Sequence, residues 1–181
     1  MFDSVFKDIN ITEVGADILL VDFLQEEFCN IIVNACMSLN SWAPNKRDKR
    51  YFTQDIHLKN ELPDLYSIIQ EHLDTVVWRE VGAWWSVDSF SVSDLFAIRY
   101  SSDGQTSLPL HHDDSFITGS VKLNNNYSGA ELVLPRQKFS NTEVPVGSLL
   151  VFPGKITHPH KCDPLISGEK FSLTIWTAED V

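Results

Sequence analysis

Hydrophobic residues in the first half of the chain recur at helical spacing. One set lies within residues 24–39, after acidic residues that suit the first turn of a helix. A second set lies within residues 63–77 and begins at Pro63, a residue favoured at the start of a helix. The pattern predicts two amphipathic helices in an N-terminal helical part of about residues 1–85, which we expect to support the remainder of the fold.

From about Trp84 the hydrophobic period changes to two, the spacing of a strand with one buried face. Turn signals such as Ser102-Asp103-Gly104 and Pro153-Gly154 separate the β-rich segments. These segments are residues 95–100, 117–123, 131–134, 148–152 and 171–176. Many short strands without intervening helices are typical of a sandwich or barrel. The sequence therefore predicts a mainly β fold with N-terminal helices.

Length, composition and charge narrow the class of protein. The chain has 181 residues, 43% of them hydrophobic, which predicts one globular domain over residues 1–181. Lys and Arg number 14 against 25 Asp and Glu, a formal net charge of −11 that opposes binding to nucleic acid or to an anionic membrane. No apolar run approaches the roughly 20 residues of a membrane span. We expect neither a nucleic-acid nor a membrane partner, and the oligomeric state stays open.

The three cysteines, Cys29, Cys36 and Cys162, are odd in number and lack metal-binding spacing, which favours a reducing compartment. Cys29 and Cys36 lie seven residues apart on the apolar face of the first helix and are predicted core residues. The N-terminal residues are polar and acidic, without the pattern of a secretory signal. These features together predict a cytoplasmic protein.

One basic segment, Asn45-Lys46-Arg47-Asp48-Lys49-Arg50, departs from the acidic average. Such a segment is either a solvated loop or a basic surface that binds an acidic substrate. The sequence leaves both interpretations open.

Four of the six histidines fall in two short clusters, His111-His112-Asp113-Asp114 and His158-Pro159-His160. On a strand, residues two apart face the same side, so a His-x-Asp pair directs an imidazole and a carboxylate to one point. Two imidazoles and one carboxylate on one face of an octahedron leave three positions open, as in non-haem Fe(II) oxygenases. Polar loops, acid–base histidines and zinc hydrolases use the same residue types, so spacing alone does not decide between them.

Lys170 lies ten residues after His160, at the start of a β-rich run, and on the same strand face as Thr174. A cation at this position could pair with the distal carboxylate of a dicarboxylate co-substrate whose other end chelates the metal. The alternative interpretation is an exposed lysine at a strand edge.

The histidine clusters belong to a longer series of motifs. The series reads Arg99-Tyr100-Ser101-Ser102-Asp103-Gly104-Gln105, His111-His112-Asp113, Gly129-Ala130-Glu131-Leu132, Phe152-Pro153-Gly154, His158-Pro159-His160 and Lys170. In this order the motifs resemble the 2-oxoglutarate and Fe(II)-dependent dioxygenases, and most of all the prolyl 4-hydroxylase and lysyl hydroxylase catalytic domains. The resemblance covers about residues 95–177. It implies a double-stranded β-helix (jelly-roll, cupin-like) core over about residues 86–177, supported by α-helices.

The resemblance implies roles for the matching residues. His111, Asp113 and His160 would bind the iron and form the catalytic centre, whereas the pair His112 and Asp114 has the same spacing and is not excluded by geometry. The implied contacts to 2-oxoglutarate are Lys170, to its C5 carboxylate, with Tyr100, Thr174 and Trp176. Because related halogenases have a small residue in place of the aspartate, Asp113 favours hydroxylation. The sequence departs from the motifs of this family at Ala130, where relatives usually have a second glycine.

The implied activity is hydroxylation of an unactivated C–H bond. Fe(II), 2-oxoglutarate and O2 would be required, ascorbate is a candidate reductant, and succinate and CO2 would be co-products. We expect a peptide or protein substrate with a prolyl target, while a lysyl residue or a small molecule stays an alternative. A non-catalytic jelly-roll binding module is the alternative from another class.

Overall fold

Antiparallel β-sheets make up most of the fold. The computed structural model describes residues 5–39, 41–42 and 53–180, and the basic segment 45–50 lies outside them. The helical segments are α1 (Glu26–Ser38), α2 (Leu58–Glu61), α3 (Pro63–His72), a π-helical segment (Leu73–Val77) and α4 (Trp78–Trp85). Within this described part, no helix is long and apolar enough to cross a membrane.

The strands form three sheets. In chain order they are β1 (Ile11–Gly15), β2 (Ile18–Asp22), β3 (Asp55–His57), β4 (Phe90–Tyr100), β5 (Leu108–His111), β6 (Ile117–Lys122), β7 (Tyr127–Gly129), β8 (Leu132–Leu134), β9 (Phe139–Ser140), β10 (Ser148–Pro153), β11 (His160–Cys162), β12 (Leu165–Gly168) and β13 (Lys170–Glu179). The large sheet has the order β1-β2-β10-β6-β13-β4-β3, a second sheet has the order β5-β11-β8-β9, and β12 pairs with β7. Each of the five predicted β-rich segments coincides with a strand of the first or second sheet.

The N-terminal part also contributes three strands that the hydrophobic pattern did not predict. β1 and β2 form a hairpin at one edge of the large sheet, and β3 lies at the other edge. β1 exposes its central residues and β2 is buried at most positions on both faces, so neither has the alternation that identifies a strand. The N-terminal part that was expected to be a helical support therefore contains strands as well as helices.

The α-helices cover one face of the large sheet. Phe28 and Ile32 of α1 and Ile69 of α3 belong to the same buried cluster as Leu95 of β4 and Ile175 of β13. Cys29 and Cys36 are also in this cluster and are free thiols, in agreement with the prediction that they are core residues.

The second sheet packs against the opposite face. Phe96, Ile98 and Tyr100 alternate with the helix-facing residues of β4, and they form a separate buried cluster with Leu108 of β5 and Cys162 of β11. The period of two along β4 thus directs one set of side chains to the helices and the other set to the space between the two sheets. The residues of the candidate site lie in this space.

Gly147, in the turn before β10, supports a prediction about stability. Its φ is +81°, and a Cβ atom there would overlap the carbonyl oxygen of Leu24. We expect Gly147→Ala to lower the free energy of unfolding by about 1–3 kcal/mol in urea titrations, since both the left-handed backbone and the contact become strained. Gly15→Ala is the control, because the φ of Gly15 is not in the left-handed region and its Cβ would meet only side-chain atoms of Ile18, at 3.1 Å or more. Equal losses in the two variants would contradict this account.

Candidate metal and co-substrate site

A cavity of about 400 Å³ lies between the large sheet and the second sheet. Its walls come from β3, β4, β6, β10 and β13 of the large sheet and from β5, β8 and β11 of the second sheet. The predicted site residues that line it are His111, Asp113, His160, Lys170, Tyr100, Thr174 and Trp176. The structure therefore brings all seven predicted site residues to one cavity.

His111, Asp113 and His160 form a cluster whose candidate ligand atoms all lie within 4.8 Å of one another. His111 ends β5 and stands opposite His160, the first residue of β11, in the antiparallel register. Nε2 of His111 is 3.4 Å from Oδ1 of Asp113, and Nε2 of His160 is 3.5 Å from Oδ2 of the same carboxylate. Two imidazole nitrogens and one carboxylate thus converge on one point.

Backbone carbonyl groups orient both imidazoles. Nδ1 of His111 donates to the carbonyl oxygen of Pro109 at 2.8 Å, and Nδ1 of His160 donates to that of His158 at 3.1 Å. In the neutral form of each imidazole the proton is therefore on Nδ1, and the lone pair of Nε2 is available to bind a metal ion. This arrangement is the one found in metal-binding histidines.

The electrostatics of the cluster favour an ionised aspartate. Burial alone would raise the pKa of Asp113, but the hydrogen bond and charge of His111, the charge of His160 and the Thr118 hydroxyl together lower it. Burial lowers the pKa of His160. At His111 burial is outweighed by Asp113 and by the Pro109 carbonyl, so its pKa is raised. A divalent cation at this point would meet a negative carboxylate and a neutral His160.

The side chains of His112, Asp114 and His158 lie outside the cluster, although His112 and Asp114 also line the cavity. Asp114 has a side chain that is 93% exposed and pairs with Lys155 at 3.3 Å, and His112 is exposed. His158 is buried, but its Nε2 donates to the carbonyl oxygen of Ala16 at 3.0 Å. Of the two pairs that spacing left open, His111 and Asp113 belong to the cluster with His160, and His112 and Asp114 do not.

Lys170 is a buried cation in a central strand. Its exposure is 4%, and β13 lies between β6 and β4, so the alternative of an exposed strand-edge lysine is wrong. Nζ donates to the carbonyl oxygen of Ala130 at 2.7 Å and lies 3.6 Å from Sγ of Cys162 and 5.0 Å from the centre of the Tyr100 ring. Burial lowers the pKa of the ammonium group. Among the described residues no Asp or Glu lies within ion-pair distance of it.

Tyr100 and Trp176 form parts of the cavity wall. Tyr100 is buried, and burial together with the neighbouring Cys162 raises the pKa of its hydroxyl well above the ordinary value. Trp176 packs edge-on against Phe96, with ring centres 5.3 Å apart. Thr174 projects from β13 between Ser172 and Trp176 on the same wall. Phe96 and Trp176 therefore form an aromatic part of the wall, whereas Tyr100 lies beside Lys170.

Sequence reasoning missed several residues of the site. Thr118 donates its hydroxyl hydrogen to Oδ2 of Asp113 at 2.8 Å, and Ala130, at φ +54°, directs its carbonyl to Lys170. Asp94 also lines the cavity, 3.0 Å from Nδ1 of His57. Only Ala130 had a sequence signal, since it stands where relatives usually have a glycine, a residue that adopts positive φ readily.

Comparisons with known proteins give relatives but no matching family model. The chain is 24% identical over 182 residues to human procollagen-lysine,2-oxoglutarate 5-dioxygenase 2, a match that covers 94% of this chain and 25% of that protein. It is 25% identical over 181 residues to the procollagen lysyl hydroxylase and glycosyltransferase of Acanthamoeba polyphaga mimivirus, covering 93% of this chain and 20% of that one. The chain thus spans about a quarter or less of the length of these relatives.

Solved structures with a similar fold come from prolyl hydroxylases. The viral collagen prolyl hydroxylase of Paramecium Bursaria Chlorella virus-1, in its 2-oxoglutarate complex, has a TM-score of 0.66 and 19% identity, covering 90% of this chain and 96% of that chain. A prolyl-4-hydroxylase from Pseudomonas putida has a TM-score of 0.62 and 18% identity, covering 87% of this chain and 89% of that chain.

The structural neighbours establish the fold as that of 2-oxoglutarate oxygenases, mostly β with large antiparallel sheets. The relatives in sequence and the neighbours in structure are both 2-oxoglutarate-dependent dioxygenases, the enzyme class that the sequence predicted. The predicted resemblance to the prolyl 4-hydroxylase and lysyl hydroxylase domains of the 2-oxoglutarate and Fe(II)-dependent dioxygenases is thereby confirmed.

Proposed function

We propose that the protein is an Fe(II)- and 2-oxoglutarate-dependent dioxygenase that hydroxylates an unactivated C–H bond, with a peptidyl prolyl residue as its target. The observation that carries this proposal is a single cavity lined both by the cluster of His111, Asp113 and His160 and by the buried ammonium group of Lys170. In this proposal the helices α1, α3 and α4 support a double-stranded β-helix core of about residues 86–177, within one domain.

The donor set fits Fe(II). Two imidazole nitrogens and one carboxylate are the ligands of the facial triad, which leaves positions open for other ligands. His111, Asp113 and His160 would hold the metal, each through an atom that already faces the other two residues. When bound, iron and 2-oxoglutarate would supply the oxidising chemistry with O2, giving succinate and CO2 as co-products, and ascorbate stays a candidate reductant.

Lys170 supports the choice of a dicarboxylate co-substrate. A buried ammonium group with only a carbonyl oxygen, a thiol and a ring face around it is incompletely compensated for its lost hydration. The C5 carboxylate of 2-oxoglutarate would supply the missing anion through a charge-assisted hydrogen bond. A zinc hydrolase or a binding module has no comparable use for this cation. Tyr100 and Thr174 would line the same end of the co-substrate.

Two target side chains have support. The solved neighbours named above are prolyl hydroxylases, which favours proline. Lysine is the second candidate, since the curated relatives are procollagen lysine dioxygenases. In either case Phe96 and Trp176 would exclude water and orient the substrate C–H bond.

The test of this proposal is succinate formation from 2-oxoglutarate by iron-loaded protein when O2 is admitted. Three peptides that differ only in a central Pro, Lys or Ala are compared. Stimulation by the Pro peptide, with the mass of one oxygen atom added to it, supports the proposal, and stimulation by the Lys peptide alone selects the second candidate. Slow succinate formation that no peptide stimulates would move the search to small molecules. No succinate with bound iron would favour a binding module.

Alanine substitutions of the three clustered residues test the metal site. We expect His111→Ala, Asp113→Ala and His160→Ala to abolish succinate formation and to weaken metal binding by more than the 10–100-fold typical of residues outside the coordination shell. His112→Ala is the matched control, because it removes an exposed neighbouring imidazole, and it should keep most activity. Full activity in His160→Ala would refute the ligand assignment.

The substitution Lys170→Met tests the role of the charge in 2-oxoglutarate binding and in stability, because it keeps most of the aliphatic stem and removes the ammonium group. We expect the apparent KM for 2-oxoglutarate to rise by at least about 30-fold, as for loss of a buried charge partner. The same variant should unfold at a higher urea concentration when no 2-oxoglutarate is present, since a buried cation no longer has to be desolvated. Lys155→Met, at a side chain that is 61% exposed, is the control. An unchanged KM in Lys170→Met would contradict the assigned role.

A further inference from the structure

Thr118 is the only described side chain that donates a hydroxyl hydrogen bond to Asp113. It lies in β6, between β10 and β13, and is 2% exposed. Its Oγ1 atom is 2.8 Å from Oδ2 of Asp113. Because an ionised carboxylate can only accept hydrogen bonds, the threonine hydroxyl must be the donor.

The backbone around Asp113 is held by Gly154. The amide of Asp113 donates to the carbonyl oxygen of Gly154 at 2.8 Å, and the amide of Gly154 donates to that of Phe116 at 3.1 Å. A Cβ atom at Gly154 would lie 2.8 Å from Oγ1 of Thr118 and would overlap the carbonyl oxygen of Ser115. The glycine therefore leaves the space in which the threonine hydroxyl reaches the carboxylate.

These contacts fix the rotation of the carboxylate. The backbone hydrogen bond sets the position of Asp113, and the hydroxyl of Thr118 then holds Oδ2. Oδ1 is left facing Nε2 of His111 at 3.4 Å. Each member of the metal cluster thus has its own orienting partner: a carbonyl oxygen for each imidazole, and Thr118 for the carboxylate.

We infer that Thr118 is a positioning residue that presents the Asp113 carboxylate to the metal and thereby raises metal affinity, an inference that rests on the proposed function. Outer partners of this kind commonly change metal affinity by 10–100-fold when they are removed. In this role Thr118 does not need to contact the co-substrate or the substrate. Its effect passes through Asp113.

Thr177 provides a matched comparison within the same fold. It is likewise 2% exposed and lies in a strand of the large sheet, but its hydroxyl donates to the backbone carbonyl of Ile117 at 2.9 Å. We expect removal of that hydroxyl to lower stability, since its hydrogen bonds are to the backbone of Ile117 and not to a residue of the metal cluster. If the role of Thr118 were purely structural, substitution of either threonine would change metal affinity equally.

The experiment is a titration of the full chain with Mn²⁺, in which binding is measured as the loss of the electron paramagnetic resonance signal of the free ion. Wild type, Thr118→Val and Thr177→Val are compared. We expect the Kd for Mn²⁺ to rise at least 10-fold in Thr118→Val and less than 3-fold in Thr177→Val. Thr118→Ser and Thr118→Ala form a second pair, since both lack the γ-methyl group and only serine keeps the hydroxyl. The serine variant should bind Mn²⁺ more tightly than the alanine variant by the same factor, so the test holds even where the valine variant does not fold.

The outcomes separate the inference from the proposal beneath it. Equal Kd values for wild type and Thr118→Val, equal losses in the two valine variants, or equal binding by the serine and alanine variants would each overturn the role of Thr118 and leave the proposed function standing. Absence of Mn²⁺ binding by the wild type would overturn the proposed metal site itself, and the role of Thr118 with it.

Discussion

The pairing of β5 with β11 is the interaction on which the site depends. It places His111 directly opposite His160, and the chain then turns so that Asp113 can bond to the backbone of Gly154. A shift of one residue in this register would turn His111 to the opposite face of the sheet and separate the two imidazoles. Packing of Leu108 and Cys162 between the sheets opposes such a shift, because both residues would lose their buried positions.

A second constraint is the burial of Lys170 within the large sheet. Placing an ammonium group in a central strand opposes folding, and its contacts with Ala130, Cys162 and Tyr100 replace only part of its hydration. A core built for stability alone would place an apolar side chain there. Under the proposed function, a bound dicarboxylate compensates the charge and stabilises the folded protein in proportion to its concentration. Stability and co-substrate binding are therefore coupled through a single side chain.

The sequence predicted the five main β segments from a physical pattern, whereas the full set of candidate site residues came from the resemblance of its motifs to a known family. Hydrophobic residues alternate along β4 and β13 because the two faces of each strand have different surroundings. The His-x-Asp spacing of His111 and Asp113 is visible directly in the sequence. Thr118 could not be recognised, because a threonine in a strand is ordinary and its partner lies across a turn. The role of Ala130 depends on a positive φ that the sequence does not encode directly. β1 and β2 were missed because their burial is set by long-range pairing.

That long-range pairing has a consequence for how the chain folds. Leu19 of β2 pairs with Val151 of β10, roughly 130 residues later in the chain. The hairpin of β1 and β2 is thus synthesised well before β10, the strand that pairs with β2 in the large sheet. Closing so large a loop is entropically costly before the contacts are made. Contacts between residues so far apart in the chain slow folding. They also leave one edge of β2 unpaired in the nascent chain until β10 is available to pair with it.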